Sequence, residues 1–321
     1  MAETTTRLAP SPTGALHLGN ARTFLVNYLL ARQRGWRVLM RIEDLDGPRV
    51  RAGSAGQLLD ELAWLGLEWQ GPVVYQSARA GAYEAALARL VELGQAYPCT
   101  CSRKDVELAA SAPHEGELPT YPGTCRGRYA SGEAAAATGR PVAWRLRAPD
   151  APVAFDDRFA GPQCFDLARA GGDFVIFKAD AQAAYQLAVT IDDAKAGVDA
   201  IVRGDDLLDS AARQIHLRRL LGLTPEPAYW HLPLVVGPDG RRLAKRHGDT
   251  RVARYRSHGA GGAGGAGPQR VLGLLGFWCG AIETRRPCDM AELTARFDVA
   301  RLPRHRIVFT EADHAFLEGS C

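Results

Sequence analysis

The apolar positions near the start of the chain switch between two periods. Residues 5–9 form a short β-prone run, closed by Pro10-Ser11-Pro12-Thr13-Gly14, a loop built from turn-forming residues. Phe24, Leu25, Tyr28 and Leu29 then recur at helical spacing. Residues 37–42 predict a strand that runs directly into Glu43-Asp44-Leu45-Asp46. Leu58, Leu59, Leu62 and Leu65 predict a second helix ending close to Gly66. Tyr83, Leu87, Leu90 and Val91 predict a third, with Gly94 positioned to cap it. Strand, helix, strand, helix is the rhythm of βαβ units and a parallel sheet.

The rhythm breaks at about Cys99 and resumes near Leu187. Between them lie clustered cysteines, Pro and Gly punctuation, and short alternating runs such as residues 142–147. This reads as an insertion with its own small fold. Residues 187–234 again alternate long helices and strands. A Gly/Ala tract at 259–267 reads as a flexible linker, and residues 271–277 and 290–297 read as terminal helices. No repeat array is visible. The predicted organisation is a catalytic domain in two halves, 1–97 and 187–240, split by an insertion at 98–186. A segment at 241–321 carries a basic loop and a helical C-terminal domain.

Composition narrows the class. The 321 residues are 46% hydrophobic and 23% charged, the balance of an ordinary globular chain. No apolar stretch is long enough to span a membrane, and the first residues show no export signal, so a cytoplasmic location is expected. Of 39 basic residues only four are lysines: Lys104, Lys178, Lys195 and Lys245. Nucleotide bias explains the excess of arginine, but it also makes each surviving lysine worth inspecting. Seven cysteines is an odd number. Three of them, Cys99, Cys101 and Cys125, fall close together, a pattern that favours metal over disulfides when no export signal is present.

Two segments carry candidate chemistry. Arg7-Leu-Ala-Pro-Ser-Pro-Thr-Gly-Ala-Leu-His-Leu-Gly-Asn20 leads from a predicted strand into a predicted helix. A helix N-terminus presents unpaired N–H groups and the positive end of a dipole, a seat for phosphate. Gly14 and Gly19 admit close approach, and His17 offers an imidazole there. Far downstream, Gly237-Pro-Asp-Gly-Arg-Arg-Leu-Ala-Lys-Arg-His-Gly248 sets Lys245 in a loop suited to closing over a polyphosphate.

Together these segments resemble the two signatures of the class I aminoacyl-tRNA synthetases: His17-Leu-Gly-Asn20 and Arg242-Leu-Ala-Lys-Arg246. Further words match the glutamyl branch, among them Arg41-Ile-Glu-Asp-Leu-Asp46, Tyr185-Gln-Leu-Ala188, Thr190-Ile-Asp-Asp193 and Val202-Arg-Gly-Asp-Asp-Leu-Leu-Asp209. The resemblance runs from Arg7 to at least Arg246. There are departures: Asn20 replaces a histidine of the first signature, and Arg242 and Ala244 replace a lysine and a serine often found in the second. The length resembles a truncated paralogue family, the glutamyl-queuosine tRNA(Asp) synthetases, because no room remains for an anticodon-binding domain. That family activates glutamate with ATP and esterifies it to the queuosine base in the anticodon of tRNA(Asp).

The resemblance implies an α/β fold in which a Rossmann-like parallel sheet binds nucleotide, with a zinc-bearing insertion and a helical C-terminal domain. It implies a glutamate site of Arg7, Ser11, Glu43, Tyr185 and Arg203. It also implies ATP contacts from His17, Gly19, Asn20 and Lys245, with His17 and Lys245 catalytic. Physics agrees with the glutamate set: a guanidinium clamps a carboxylate bidentately, and Glu43 supplies negative charge for an ammonium. A structural ion pair between Arg203 and Asp205 or Asp206 is the alternative use of that arginine. Mg²⁺ would accompany ATP without a dedicated protein cage. For zinc, three cysteines need a fourth ligand. Metal chemistry alone nominates His114, and the resemblance nominates Tyr121. The expected partners are L-glutamate, ATP and the anticodon stem-loop of tRNA(Asp), with no membrane.

Overall fold

Strand β1 (Thr5–Leu8) begins the chain's central sheet, and the buried helix α1 (Leu18–Arg34) follows it. The computed structural model describes residues 3–47, 50–109, 120–241, 243, 250–257 and 267–319. Helix α1 stops at Gly35, whose φ of 64° only glycine adopts without strain. Next come β2 (Arg37–Ile42), α2 (Ser54–Trp64), β3 (Val74–Tyr75) and α3 (Ala80–Glu92). Each helix read from apolar spacing is present, because those spacings put leucines on one buried stripe: Leu58 and Leu62 in α2, Tyr83 and Leu90 in α3.

The break in rhythm is a separate set of small sheets. It contains β4 (Ala96–Cys99), α4 (Arg103–Ala109), α5 (Gly132–Ala136), β5 (Ala143–Leu146), β6 (Val153–Asp157), β7 (Gly161–Phe165) and β8 (Phe174–Phe177). Strands β4, β5 and β8 make an antiparallel sheet, and β6 with β7 an antiparallel hairpin. The chain then returns through α6 (Tyr185–Lys195), β9 (Ala200–Gly204), α7 (Leu208–Leu221), β10 (Ala228–Leu232) and β11 (Val235–Val236).

The central sheet has the order β10-β9-β1-β2-β3, and every pairing in it is parallel. The expected parallel α/β sheet is therefore present. From β1 the chain builds outward to β2 and β3 on one side, then much later to β9 and β10 on the other. The order reverses between β1 and β9, the kind of crevice where open α/β sheets bind ligands.

The last elements are α8 (Val252–Ser257), α9 (Gln269–Trp278), α10 (Met290–Arg296), β12 (Ile307–Val308) and α11 (Glu311–Glu318). The C-terminal helices read from the sequence exist, but they share the core of the sheet domain. Leu25 and Leu29 of α1 lie in one buried cluster with Leu272 and Leu275 of α9 and Leu293 of α10. Strand β12 pairs in parallel with β11, a second tie to the body. Among the described residues no helix is long and apolar enough to cross a membrane.

Candidate active site

A cavity of about 950 Å³ opens at the carboxyl edge of the sheet, at the reversal between β1 and β9. Its lining includes Arg7, Ser11, Glu43, Tyr185 and Arg203, all five residues expected for glutamate. His17 and Asn20 also line it, whereas Gly19 faces away, its α-carbon packed towards Val235. Gly14 lines the wall with open space where a side chain would be. Lys245, His114 and the Gly/Ala tract from 259 to 266 lie outside the described residues.

Strand geometry explains the convergence. Arg7 is the penultimate residue of β1, Arg203 the penultimate residue of β9, and Glu43 follows the last residue of β2. Parallel pairing brings these ends to one edge, and Glu43 N–H donates to the Pro10 carbonyl at 3.0 Å to fix the turn. Helix α6 then starts at the cavity: Tyr185 is its first residue, and Asp193, farther along it, reaches Arg7 and Arg41.

Beneath the cavity lies a buried charge network. Arg7 Nε donates to both oxygens of Asp193, at 3.2 and 3.4 Å, and Arg41 Nη1 donates to Asp193 Oδ1. Arg41 Nη2 donates to Glu43 Oε1 at 3.0 Å. The two carboxylates respond oppositely. Burial raises the Glu43 carboxyl above its ordinary value, and the attraction of Arg41 and Arg7 does not compensate. Burial alone would raise Asp193 too, but Arg41 and Arg7 outweigh it and hold this carboxyl low. Asp192, next to it on α6, faces the other way and accepts from Gln76 Nε2 and Tyr83 OH, both at 2.8 Å.

Arg203 is held differently. Its Nε donates to His231 Nε2 at 2.9 Å and its Nη1 to Gln214 Oε1 at 2.9 Å. Longer contacts reach Tyr185 OH at 3.5 Å and the Leu207 carbonyl at 3.4 Å. These neutral acceptors are its hydrogen-bond partners, in place of the ion pair with Asp205 or Asp206 offered as the alternative.

The first signature loop is pinned from both sides. Ser54 Oγ of α2 donates to the Pro12 carbonyl at 2.7 Å, and buried Glu61 accepts the Leu16 N–H at 3.3 Å. On the other side His17 Nδ1 lies 3.1 Å from Thr250 Oγ1, while Leu18 N–H donates to the Thr250 carbonyl and Val252 N–H to that of Leu16. His17 is the N-cap of α1. The segment that follows the second signature, from Thr250 to Val252, is thus joined to the start of the helix carrying the first.

The cysteine cluster is a second site, outside the cavity. The Sγ atoms of Cys99, Cys101 and Cys125 all lie within 4.8 Å of one another. Tyr121 OH is 3.4 Å from Cys99 Sγ and 3.9 Å from Cys101 Sγ, and accepts the Cys125 N–H at 2.9 Å. A tetrahedral zinc with bonds of about 2.3 Å has sulfur–sulfur edges of about 3.8 Å, so the four donors fit it. Burial would raise the Cys125 thiol, but hydrogen bonds from the Thr100 backbone, Tyr121 and its neighbouring thiols bring it down to about 7. All six described cysteines are free thiols.

Several residues of the site escaped the sequence reading. Arg41 and Asp193 stand inside words quoted for the resemblance but received no role. His231, Gln214 and Asp157 stand in none. A lone histidine in an apolar strand and one of two adjacent acids in a hairpin carry no local signal.

Residues 3–313 match the family of tRNA synthetases class I (E and Q), catalytic domain. A protein of Symbiobacterium thermophilum called Glutamyl-Q tRNA(Asp) synthetase is 47% identical, covering 98% of each chain. One of the same name from Nocardia farcinica is also 47% identical, over 98% of this chain and 95% of its own. Among solved structures, a glutamate tRNA ligase from Elizabethkingia meningosepticum, in complex with its amino acid, superimposes with a TM-score of 0.79. It is 24% identical, over 98% of this chain and 69% of its own, a likeness of fold. The chain belongs to the class I tRNA synthetases of the E and Q branch and is a ligase of the aminoacyl-tRNA synthetase type.

Proposed function

We propose that the protein activates L-glutamate with ATP and transfers it to the queuosine base in the anticodon loop of tRNA(Asp). The observation that carries the glutamate half is the charge of the cavity floor. Two guanidiniums, of Arg7 and Arg41, pair with the carboxylates of Asp193 and Glu43, and a third, of Arg203, has neutral hydrogen-bond partners, so these five groups together carry one net positive charge. Glutamate, with two carboxylates and one ammonium, is its complement. In this reading Arg7 and Arg203 hold the carboxylates, Glu43 the ammonium, and Ser11 and Tyr185 complete the hydrogen bonding. His17, Asn20 and Lys245 attend ATP, which arrives with Mg²⁺.

The glutamate α-carboxylate attacks the α-phosphorus of ATP, releasing pyrophosphate and leaving glutamyl-adenylate. A hydroxyl of the modified base then attacks the acyl carbon and AMP departs. No covalent enzyme intermediate is needed, so the rate enhancement comes from positioning and from charge stabilisation by His17 and Lys245. One zinc held by Cys99, Cys101, Tyr121 and Cys125 serves structure, tying the insertion together.

The choice of queuosine is supported by relatives of that name which match this chain nearly end to end. The test is transfer of radiolabelled glutamate, with ATP, to an isolated tRNA(Asp) anticodon stem-loop carrying queuosine. Label on that loop and none on the guanine version is the expected result. Label on the 3′-terminal adenosine of tRNA(Glu) would establish a minimal glutamyl-tRNA synthetase instead.

A further inference from the structure

Arg203 and His231 are direct partners across the parallel ladder of β9 and β10, so their side chains stand on one face. The contact between them, 2.9 Å from Arg203 Nε to His231 Nε2, has only one chemical sense. A guanidinium carries donors and no acceptor, and it does not deprotonate. His231 Nε2 is therefore a bare lone pair, and the ring proton sits on Nδ1. Nδ1 lies 2.6 Å from Asp157 Oδ2 and donates to it. The ring is fully buried and neutral: burial lowers its pKa, and the Arg203 charge adds to that effect.

Asp157 is fixed in turn. It ends strand β6 in the insertion, and its Oδ1 accepts the backbone N–H groups of Phe159 at 2.9 Å, Ala160 at 2.7 Å and His231 at 3.2 Å. The other strong acceptor of Arg203 is oriented in the same manner. Gln214 Nε2 donates to Gln186 Oε1 at 3.0 Å, which leaves Gln214 Oε1 for the guanidinium. The consequence is electrostatic. Arg7 and Arg41 are both partly neutralised by carboxylates in contact, whereas Arg203 is aimed by neutral acceptors, with the imidazole of His231 between it and Asp157.

The geometry points to His231 and Asp157 as a positioning pair that aims Arg203 while leaving its full charge for a substrate carboxylate. This inference rests on the glutamate reading of the cavity and deepens it by naming what sets the preference for a carboxylate over an amide. Asp157 acts by fixing the tautomer, and it does so from the inserted hairpin.

Asp157→Asn isolates that role. Three backbone N–H groups hold the Asn oxygen at the Oδ1 position, so its NH₂ faces Nδ1 of His231. The proton then moves to Nε2, which faces Arg203 Nε. Two donors now oppose each other. Losing a hydrogen bond to a charged group costs roughly 10- to 100-fold in affinity. Glutamate-dependent ATP–pyrophosphate exchange should show the glutamate KM rising by about that factor, with kcat and the ATP KM near those of the parent. His231→Gln keeps an acceptor oxygen and should restore the parent KM, while His231→Leu should behave as Asp157→Asn does. Nitrogen-15 NMR of the full-length parent should find His231 protonated on Nδ1. A parent-like glutamate KM in Asp157→Asn, equal loss in His231→Gln and His231→Leu, or an Nε2-protonated ring would each overturn the pairing. Failure of the glutamate reading looks different: the parent itself exchanges no pyrophosphate on glutamate, with the ring still protonated on Nδ1.

Discussion

Replacing Glu43 by glutamine should separate stability from function in one residue. The Glu43 carboxylate is buried beside the cavity, and burial raises its pKa above the ordinary 4.5 despite two nearby arginines. Between 4.5 and that raised value the folded protein holds a proton the unfolded chain has released. Stability therefore falls as pH rises through this window, and above it the ionised group is a constant cost. Glutamine removes that cost and still offers an oxygen to Arg41 Nη2, now at 3.0 Å. The melting temperature at neutral pH should stay level or rise. Function should move the other way, because a buried carboxylate paired with the substrate ammonium is worth roughly 2–3 kcal/mol, the low end for such pairs, since Glu43 borders an open cavity. The glutamate KM should then rise about 30- to 150-fold. In the parent, KM should climb as pH falls towards the raised pKa, and Glu43→Gln should lack that limb.

Asp193→Asn is the control with the opposite sign. Arg41 and Arg7 hold Asp193 ionised to low pH, so its charge stabilises the fold at every pH above the ordinary carboxylate value and is lost as pH drops below it. Removing one partner of a buried pair costs about 3–5 kcal/mol, or roughly 6–20 °C in melting temperature. Differential scanning of both variants at pH 7.5, beside pyrophosphate exchange, decides the matter. A Glu43→Gln protein that melts several degrees below the parent, or that keeps the parent KM, refutes the reasoning.

Other outcomes follow from the same geometry. His17→Ala or Lys245→Ala should slow adenylate formation by about 10²–10³-fold with an unchanged melt, as measured by pyrophosphate exchange. Protein purified without chelator should carry about one zinc by elemental analysis, bound less tightly below pH 7 because the thiols must be deprotonated. Tyr121→Phe should weaken that retention; if it does not, and His114→Ala loses the metal, the fourth ligand is His114. Binding of the queuosine stem-loop should weaken as salt rises, because arginines on phosphates release counterions.

What could be read from the sequence follows the range of each signal. Period and capping are local, so α1, α2 and α3 were legible from their apolar stripes, the ends of α2 and α3 from Gly66 and Gly94, and β2 over its whole length. Strands β3, β11 and β12 have two residues each, too few to show a period. The C-terminal helices looked like a separate domain because their spacing reveals an apolar face but not what covers it; α1 covers it. The cavity residues were legible because they sit in long words around strand ends. Their supports were not, since Arg41 meets Asp193 across 152 positions and His231 meets Asp157 across 74.

Those long-range supports share one element. Helix α6 begins with Tyr185 at the cavity and ends its second turn with two adjacent acids about 100° apart around its axis. Asp193 holds the arginines of β1 and β2; Asp192 holds Gln76, Tyr83 and Arg79 on the outer side. The segment that feeds α6 comes straight from β8, an edge of the sheet that also contains β4 and hence Cys99. Lys178, between β8 and α6, donates to the Leu45 carbonyl at 2.9 Å, tying that segment to the loop after Glu43. One of only four lysines thus joins the insertion to the cavity rim. Through Lys178 on one flank and Asp157 on the other, the insertion reaches the residues beside both Glu43 and Arg203. A lobe that looked in sequence like an appendage to the catalytic fold is therefore part of what shapes its substrate pocket.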